Sequence, residues 1–352
     1  MIDNYGREIN YLRLSVTQLC NLRCRYCMPE DGVCKKRHDE MLSQEEMISA
    51  VRAAADLGIK KLRITGGEPL VKKNIVSICS QAASVSGIEQ VCLTTNGVLL
   101  PELAASLRKA GVSRLNISLD TLNEEKYKYI TRIGSLGDAL RGLDAAFDAG
   151  FEKVKINAVL IGGFNDSEIP DLAGLTMKYP VDVRFIELMP MYDSGDFGPD
   201  AFIPGSVVLK MLPGLSECQS AGESLPTDGS LRTKSERSRY TDDRSAAMAP
   251  DVNEIDNGVA KLYSLPDALG RVGIISPLSS HFCSECNRIR ITADGKIKPC
   301  LHSSAEYSIK GLTQDQMEER IKEAILAKPQ WHGELSSVSR SRANRNMNQI
   351  GG

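Results

Sequence analysis

Cys20, Cys24 and Cys27 stand at CxxxCxxC spacing directly after a short apolar stretch. Three thiolates so spaced can close on one inorganic centre and leave its fourth position without a local ligand. Structural zinc is ordinarily closed by four ligands, so an open three-thiolate set is odd for it. It suits an iron–sulfur cluster, whose remaining iron can take up a small molecule and pass it an electron. The blander readings are three core thiols, or half of a zinc site completed elsewhere. A second set follows the same plan: Cys283 and Cys286 form a CxxC pair, and Cys300 arrives after the turn signal Asp294-Gly295. That is the layout of a β-ribbon folding back on one centre. His281 or His302 could complete a zinc site there, and a second cluster with its own open iron is the rival. Arg288 and Arg290, two apart on one strand, point the same way and would offer bidentate phosphate donors beside that centre.

The elements that must position these residues alternate short apolar strands with amphipathic helices from Asn10 to Leu188, the pattern of parallel βα units. Strands are expected near 11–16, 61–65, 89–95, 114–119, 153–160 and 181–188. Ser43-Gln44-Glu45-Glu46 reads as a capping box, followed by a stripe of Met47, Ile48, Val51 and Ala55 that Gly58 ends. Pro101 stands where a helix would begin and Gly111 where it would end. Strands of a parallel barrel are buried on both faces and are ordinarily apolar on both. Here only one parity is apolar. Leu12 and Leu14 alternate with Arg13 and Ser15, Leu62 and Ile64 with Lys61, Arg63 and Thr65, and Leu115 and Ile117 with Arg114, Asn116 and Ser118. Thr94 and Asn96, Lys155 and Asn157, and Asp182 and Arg184 continue the polar set. With the apolar parity against the helices, Arg13, Lys61, Arg63, Lys155 and Arg184 face the lumen, where unpaired cations would be ruinous. A wet, cationic cavity for a strongly anionic ligand such as a phosphate ester follows. An antiparallel sheet with one solvated face would show the same alternation, but the helix-length connections oppose it.

With 352 residues the chain is long enough for one large barrel or two ordinary domains. A net charge of −2 opposes a general nucleic-acid or membrane-surface binder. Ten irregularly spaced cysteines do not form a secreted disulfide framework. The polar first ten residues carry no signal-peptide core, and no apolar run reaches the ~20 residues of a membrane helix. A reducing, cytoplasmic location is expected. Residues 1–200 read as a partial barrel, 201–258 as a polar excursion, most marked from Ser216 to Pro250 and carrying Cys218, and 259–352 as a C-terminal region with a strand near Gly270–Ile275. By composition alone the tail, with Arg340, Arg342 and Arg345, reads as disordered. Cys34, Cys79 and Cys92 read as loop or core thiols.

CxxxCxxC with Tyr26 before its last cysteine resembles the radical S-adenosylmethionine (SAM) superfamily. Joined to Phe282-Cys283-Ser284-Glu285-Cys286-Asn287-Arg288-Ile289-Arg290, Cys300 and the terminal Ile350-Gly351-Gly352, it resembles, over nearly the whole chain, the GTP 3′,8-cyclases of molybdenum cofactor biosynthesis. The resemblance implies an α/β fold: an incomplete (β/α)6 radical SAM barrel with a C-terminal extension carrying a second iron–sulfur cluster. It implies two 4Fe–4S clusters, one on Cys20, Cys24 and Cys27, where SAM binds, and one on Cys283, Cys286 and Cys300, where guanine binds. Tyr26, Gly67, Ser118 and Met189 match SAM contacts, Gly67 because a backbone without Cβ can approach the methionyl end closely. Arg13, Arg63, Thr94, Lys155, Arg288, Ile289 and Arg290 match GTP contacts, and Gly351 and Gly352 match a tail that enters the pocket. The implied reaction takes hydrogen from the ribose 3′ carbon with a deoxyadenosyl radical, closes that carbon on guanine carbon 8, and quenches the result with an electron and a proton, with Arg13 a candidate organiser. The product is (8S)-3′,8-cyclo-7,8-dihydroguanosine 5′-triphosphate. Implied partners are GTP, a one-electron donor such as flavodoxin or ferredoxin, cyclic pyranopterin monophosphate synthase downstream and a second copy in a homodimer, with no nucleic acid and no membrane. Gln18 and Leu19 depart from the family pattern, which carries an acidic residue and an arginine before the first cysteine.

Two rivals frame this reading. A radical SAM peptide maturase would need a peptide groove and usually more C-terminal cysteines, and the luminal cations oppose it. A non-enzymatic iron–sulfur or zinc scaffold gains nothing from a charged interior or from Gly66-Gly67-Glu68.

Overall fold

Alternating sequence becomes alternating burial. Leu12, Leu14, Leu62, Ile64, Leu93, Leu115, Ile156 and Val183 are all fully buried against the helices, in one continuous apolar core. The computed structural model describes residues 1–34, 36–191, 196–218, 259–333, 335, 336, 339 and 341–351. Its strands are β1 (Tyr11–Ser15), β2 (Lys61–Thr65), β3 (Gln90–Thr95), β4 (Val112–Ser118), β5 (Lys153–Leu160) and β6 (Val181–Glu187). From the C-terminal region come β7 (Ser216–Glu217), β8 (Lys261–Ser264), β9 (Arg271–Ile275), β10 (Arg288–Ile291), β11 (Lys296–Lys298) and β12 (Tyr307–Ser308). They form a 12-stranded sheet in the order β12-β11-β10-β1-β2-β3-β4-β5-β6-β9-β8-β7. Every neighbouring pair from β10 through to β9 is parallel. The outer pairs are antiparallel.

The six expected βα units are present, and the sheet does not close on itself. The C-terminal region, expected as a separate extension, instead adds a parallel strand to each flank of the six: β10 beside β1 and β9 beside β6. Helices α1 (Gln44–Asp56), α2 (Ile75–Ala83), α3 (Leu100–Lys109), α4 (Glu124–Thr131) and α5 (Leu136–Asp148) cover the apolar face. The capping box of α1 forms as expected: Glu46 N–H donates to Ser43 Oγ at 3.1 Å, and Ser43 N–H to Glu46 Oε2 at 2.8 Å. Gly58 and Gly111 take positive φ just past the ends of α1 and α3, a conformation glycine adopts without penalty. The short helices α6 (Ile169–Ala173), α7 (Leu175–Lys178) and α8 (Ser206–Met211) follow. The chain then enters α9 (Gln314–Leu326), packed on α1, and α10 (Met347–Ile350).

Within the expected excursion, residues 206–211 are helical and Ser216–Glu217 pairs with Tyr263 and Ser264. Residues 219–258, the rest of it, lie outside the described residues, and so does Gly352. The expectation of a disordered tail is overturned. Ala343 and Ile350 are fully buried, packed with Met191 and flanked by Met189, Leu301 and Met347. Ser341 N–H donates to Pro190 O at 2.8 Å. A polar composition hid a small apolar anchor. No helix among the described residues is long and apolar enough to cross a membrane.

Candidate active site

The polar parity of the strands lines a cavity of about 720 Å³, within the about 300–1,000 Å³ usual for ligand sites. Its two ends differ. At the C-terminal ends of the strands, where barrel enzymes place their chemistry, stand Cys20, Cys24, Cys27, Gly67, Glu68, Asn96, Asp120 and Met189. At the N-terminal ends stand Tyr11, Lys61, Gln90 and Arg288, the last in register with Tyr11 and two residues beyond Cys286. The two cysteine sets thus lie toward opposite ends of one lumen.

The loop after β1 carries the first set. Leu22 N–H donates to Cys20 Sγ at 3.3 Å, and Asn96 Nδ2 is 3.9 Å from that sulfur and 2.7 Å from Asn21 Oδ1. Burial pushes Cys20 up to about 11. Burial, then the charge of Cys20, pushes Cys27 up to about 12, while the backbone N–H of Asn348 in α10 favours its thiolate. Burial, then Cys27, Asp120 and Cys20, raise Cys24 as well. Three sulfurs that oppose one another's ionisation are a donor set awaiting a cation, which would displace their protons on binding. The set fits an iron–sulfur cluster by donor type. Among the described residues no three His, Cys, Asp or Glu side chains converge tightly enough to hold a single metal ion.

The loops after β2, β3 and β4 brace that end. A Cβ on Gly67 would meet Leu19 O at 2.4 Å and Gln18 O at 2.7 Å, and one on Gly66 would meet Thr17 O at 2.7 Å. Gly67 N–H donates to Thr17 O and Glu68 N–H to Leu19 O, each at 2.8 Å. The expected reason for Gly67, close approach to a ligand, is therefore joined by a different one: the glycines let the β2 turn dock on the cysteine loop. Glu68 is buried and accepts from Leu70 N–H (3.0 Å), Thr95 Oγ1 (2.7 Å) and Asn96 N–H (2.7 Å). Burial nevertheless lifts its carboxyl to about 7. Tyr26 donates its hydroxyl to Asp120 Oδ2 at 2.7 Å, and Val159 N–H donates to Asp120 Oδ1 at 2.8 Å. Burial raises Asp120 to about 6.

Along the lumen the register sets Arg290, Arg13 and Arg63 side by side on β10, β1 and β2, on strands about 4.8 Å apart. Burial, then Arg290, lowers Arg13, and burial, then Arg288, brings Arg290 down to about 10. Tyr11 sits among them: Lys61 Nζ lies 5.1 Å and the Arg288 guanidinium 5.3 Å from its ring centre, and Arg63 Nε donates to its hydroxyl. Burial alone would raise that phenol, yet Arg63, Arg13 and Arg288 draw it down. Arg63 Nη1 also donates to Thr94 Oγ1 at 3.3 Å. Among the described residues the buried Nε of Arg288 has no hydrogen-bond partner. So dense a cationic wall calls for an anion. The tail enters it: Gly351 O accepts from Arg13 Nη2 and Arg290 Nη1, both at 3.1 Å. A Cβ on Gly351 would meet Thr65 Oγ1 at 2.4 Å.

Of the expected contacts, Tyr26, Gly67, Ser118, Met189, Arg13, Arg63, Thr94, Arg288 and Arg290 line this cavity. Ile289 is fully buried on the core side of β10, which leaves only its backbone to touch a ligand. Lys155 Nζ sits 3.7 Å from Asp182 Oδ2, an anion shared with Arg184 (3.8 Å) and Arg271 (2.9 Å). Cys283, Cys286 and Cys300 stand just behind the wall, as Asn287, Arg288 and Leu301 line it. The β-ribbon forms: β10 and β11 pair antiparallel across Asp294-Gly295. Burial raises Cys283, whereas Lys328 and Arg288 outweigh burial and lower Cys286. His302 Nδ1 lies 3.0 Å from Ser341 Oγ. Sequence reasoning missed Asn348 and Arg7, whose partners lie hundreds of residues away, and Lys328, whose partners lie 29 to 42 residues away.

An open parallel α/β sheet with a CxxxCxxC set at the C-terminal end of its first strand defines the radical SAM class. Residues 14–176 match the family model described as Radical SAM superfamily, and 217–334 that described as Molybdenum Cofactor Synthesis C. The solved structure of Streptococcus suis SuiB bound to S-adenosylmethionine shares the fold, with a TM-score of 0.57 at 14% identity over 93% of this chain and 66% of that one. Curated proteins named GTP 3′,8-cyclase from Alkaliphilus oremlandii and Pelotomaculum thermopropionicum are 44% and 42% identical, each over 100% of both chains. The chain belongs to the GTP 3′,8-cyclase family of the radical SAM superfamily.

Proposed function

We infer that this chain converts GTP to (8S)-3′,8-cyclo-7,8-dihydroguanosine 5′-triphosphate, the first step of molybdenum cofactor biosynthesis. The observation that carries the reading is the row Arg290–Arg13–Arg63 between two three-cysteine sets, in a chain 44% identical to a curated cyclase. Cys20, Cys24 and Cys27 would hold one 4Fe–4S cluster, and Cys283, Cys286 and Cys300 the other. When bound, the first cluster and SAM together supply a 5′-deoxyadenosyl radical.

The chain's own residues bind, orient and shield. Arg13, Arg63, Arg288 and Arg290 present guanidinium groups to a triphosphate, with Thr94 as a neutral donor. Lys155, with Asp182 Oδ2 3.7 Å away, adds a further cation to that wall, and Ile289 offers backbone only. Tyr26, Gly67, Ser118 and Met189 line the SAM side. Gly351 O draws Arg13 and Arg290 together, so the tail orders the groups that meet the substrate. Residues 1–200 are the barrel unit in this reading, and 259–352 the region that supplies the strands flanking β1 and β6. A one-electron donor such as flavodoxin or ferredoxin, delivery of product to cyclic pyranopterin monophosphate synthase, and a homodimer complete the proposal.

The test is anaerobic incubation of the reconstituted protein with SAM, GTP and dithionite. The product expected is an isomer of GTP, equal in mass and separable by chromatography, formed one for one with 5′-deoxyadenosine. Deoxyadenosine release with GTP recovered unchanged would overturn the reading and favour a peptide substrate.

A further inference from the structure

Lys328 is 3% exposed, and its ammonium is held on three sides. Nζ donates to Arg288 O at 2.9 Å, to Pro299 O at 3.0 Å and to Cys286 Sγ at 3.4 Å. An ammonium has three N–H donors, so all are committed. Both carbonyls flank the second cysteine set: Pro299 directly precedes Cys300, and Arg288 stands two residues after Cys286.

The side chain is fixed from behind. Lys328 N–H donates to Ile325 O at 3.1 Å at the end of α9. Arg7 donates to Pro329 O (2.8 Å), Gln330 O (3.1 Å) and Cys283 O (2.8 Å), clamping this segment and the cysteine loop together. The two buried cations differ in one respect. Arg7 has Asp3 Oδ2 at 2.6 Å, whereas among the described residues no carboxylate lies within 4.0 Å of Lys328 Nζ. Burying an ammonium without a counter-ion is strongly unfavourable. The anion in reach is the Cys286 sulfur.

We propose that Lys328 is a positioning residue whose fixed charge sets the reduction potential of the centre held by Cys283, Cys286 and Cys300. The inference rests on the reading that this set holds a 4Fe–4S cluster. One electron from dithionite takes the oxidised cluster with its three thiolates from net −1 to net −2, with no bond made or broken. A cation hydrogen-bonded to a ligand sulfur stabilises the more negative state, because charge and hydrogen bonds at the sulfurs tune such potentials. Among the described residues no ammonium or guanidinium hydrogen-bonds a sulfur of the first set: Arg23 reaches the Cys20 carbonyl at 2.7 Å instead.

The test uses the full chain carrying Cys24→Ser, reconstituted anaerobically so that iron stays on the second set alone. Four irons per chain establish the cluster; zinc or no iron overturns that reading and the inference with it. An EPR-monitored redox titration then compares this protein with Lys328→Met, Lys328→Gln and Lys328→Arg added. Met and Gln should shift the equilibrium at least tenfold toward the oxidised form, about 59 mV for one electron. Arg should stay within threefold of the parent. Met and Gln proteins that keep their iron and titrate within threefold of the parent would overturn the proposal, as would an Arg protein displaced as far as Met. If Met and Gln lose iron while Arg retains it, the charge is again supported. Loss of iron from all three with intact circular dichroism would show that Lys328 only fills space, and would overturn it.

Discussion

Gly67→Ala separates two reasons for a glycine beside the first cysteine set. The added Cβ would stand 2.4 Å from Leu19 O and 2.7 Å from Gln18 O, whereas 3.0 Å is about the closest approach real Cβ atoms make. Both obstacles are backbone atoms of the cysteine loop, so no side chain can swing away. That loop is tied to the same turn by Gly67 N–H to Thr17 O and Glu68 N–H to Leu19 O, each 2.8 Å. Overpacking of this kind costs about 1–3 kcal/mol, and losing the two hydrogen bonds about 1 kcal/mol each. The expected loss is about 3–5 kcal/mol in the protein without cluster or SAM. Urea unfolding of the apo protein reads it, and iron per chain after reconstitution should fall in parallel. An apo Gly67→Ala protein within about 1 kcal/mol of wild type, with full iron and weakened SAM binding alone, would refute the docking argument. It would return the glycine to the role of ligand approach.

Glu68→Gln keeps the shape but turns an amide N–H₂ toward Asn96 N–H or Leu70 N–H, both donors to the present carboxylate. It should destabilise the apo protein by about 1–3 kcal/mol and loosen the Cys20 loop through Asn96, measured by urea unfolding and hydrogen exchange at Asn96. Asp294 anchors the tail. Burial would raise it, but Lys36 (2.6 Å), Thr292 (2.5 Å) and Arg345 (3.0 Å) hold it at about 2 against an ordinary 3.8. A depressed carboxyl stabilises above its unfolded value and loses that stabilisation as pH falls through the folded one. Protection of residues 341–351 in the apo protein should therefore be full above 3.8 and fade toward about 2. Asp294→Asn should loosen the tail at neutral pH and flatten that acid limb, and an unchanged limb would contradict the assignment. Gly351→Ala, at φ +82° and with Thr65 Oγ1 in the way, should expel the tail and lower turnover at least tenfold, about 1.4 kcal/mol in barrier. Turnover within twofold of wild type would show that the tail carbonyl orders nothing.

The barrel was legible because a single rule governed every strand. One apolar parity met helices, one polar parity met the lumen, and the expected strand at 61–65 is observed as Lys61–Thr65. The cationic cavity followed from the same parity. What stayed hidden depends on long-range pairing. β9 and β10 read locally as strands, but nothing in their own residues says that they would flank β6 and β1. The tail reads as polar, yet Asn348 caps the Cys27 sulfur and Ile350 is fully buried. Lys155 obeyed the parity, but Asp182, on the neighbouring strand in register with it, took its charge. Lys328 offers no local signal at all, since its partners are Cys286, Arg288 and Pro299.

The central claim is that the lumen holds GTP with its ribose presented to the end where Cys20, Cys24 and Cys27 stand. The most direct measurement is anaerobic turnover with GTP deuterated at the ribose 3′ position, reading deuterium in 5′-deoxyadenosine by mass spectrometry. Deuterium appearing in deoxyadenosine, and only when GTP is present, is the predicted result. Deoxyadenosine formed without deuterium would contradict the account, because the radical would then be drawn from some other position or some other substrate.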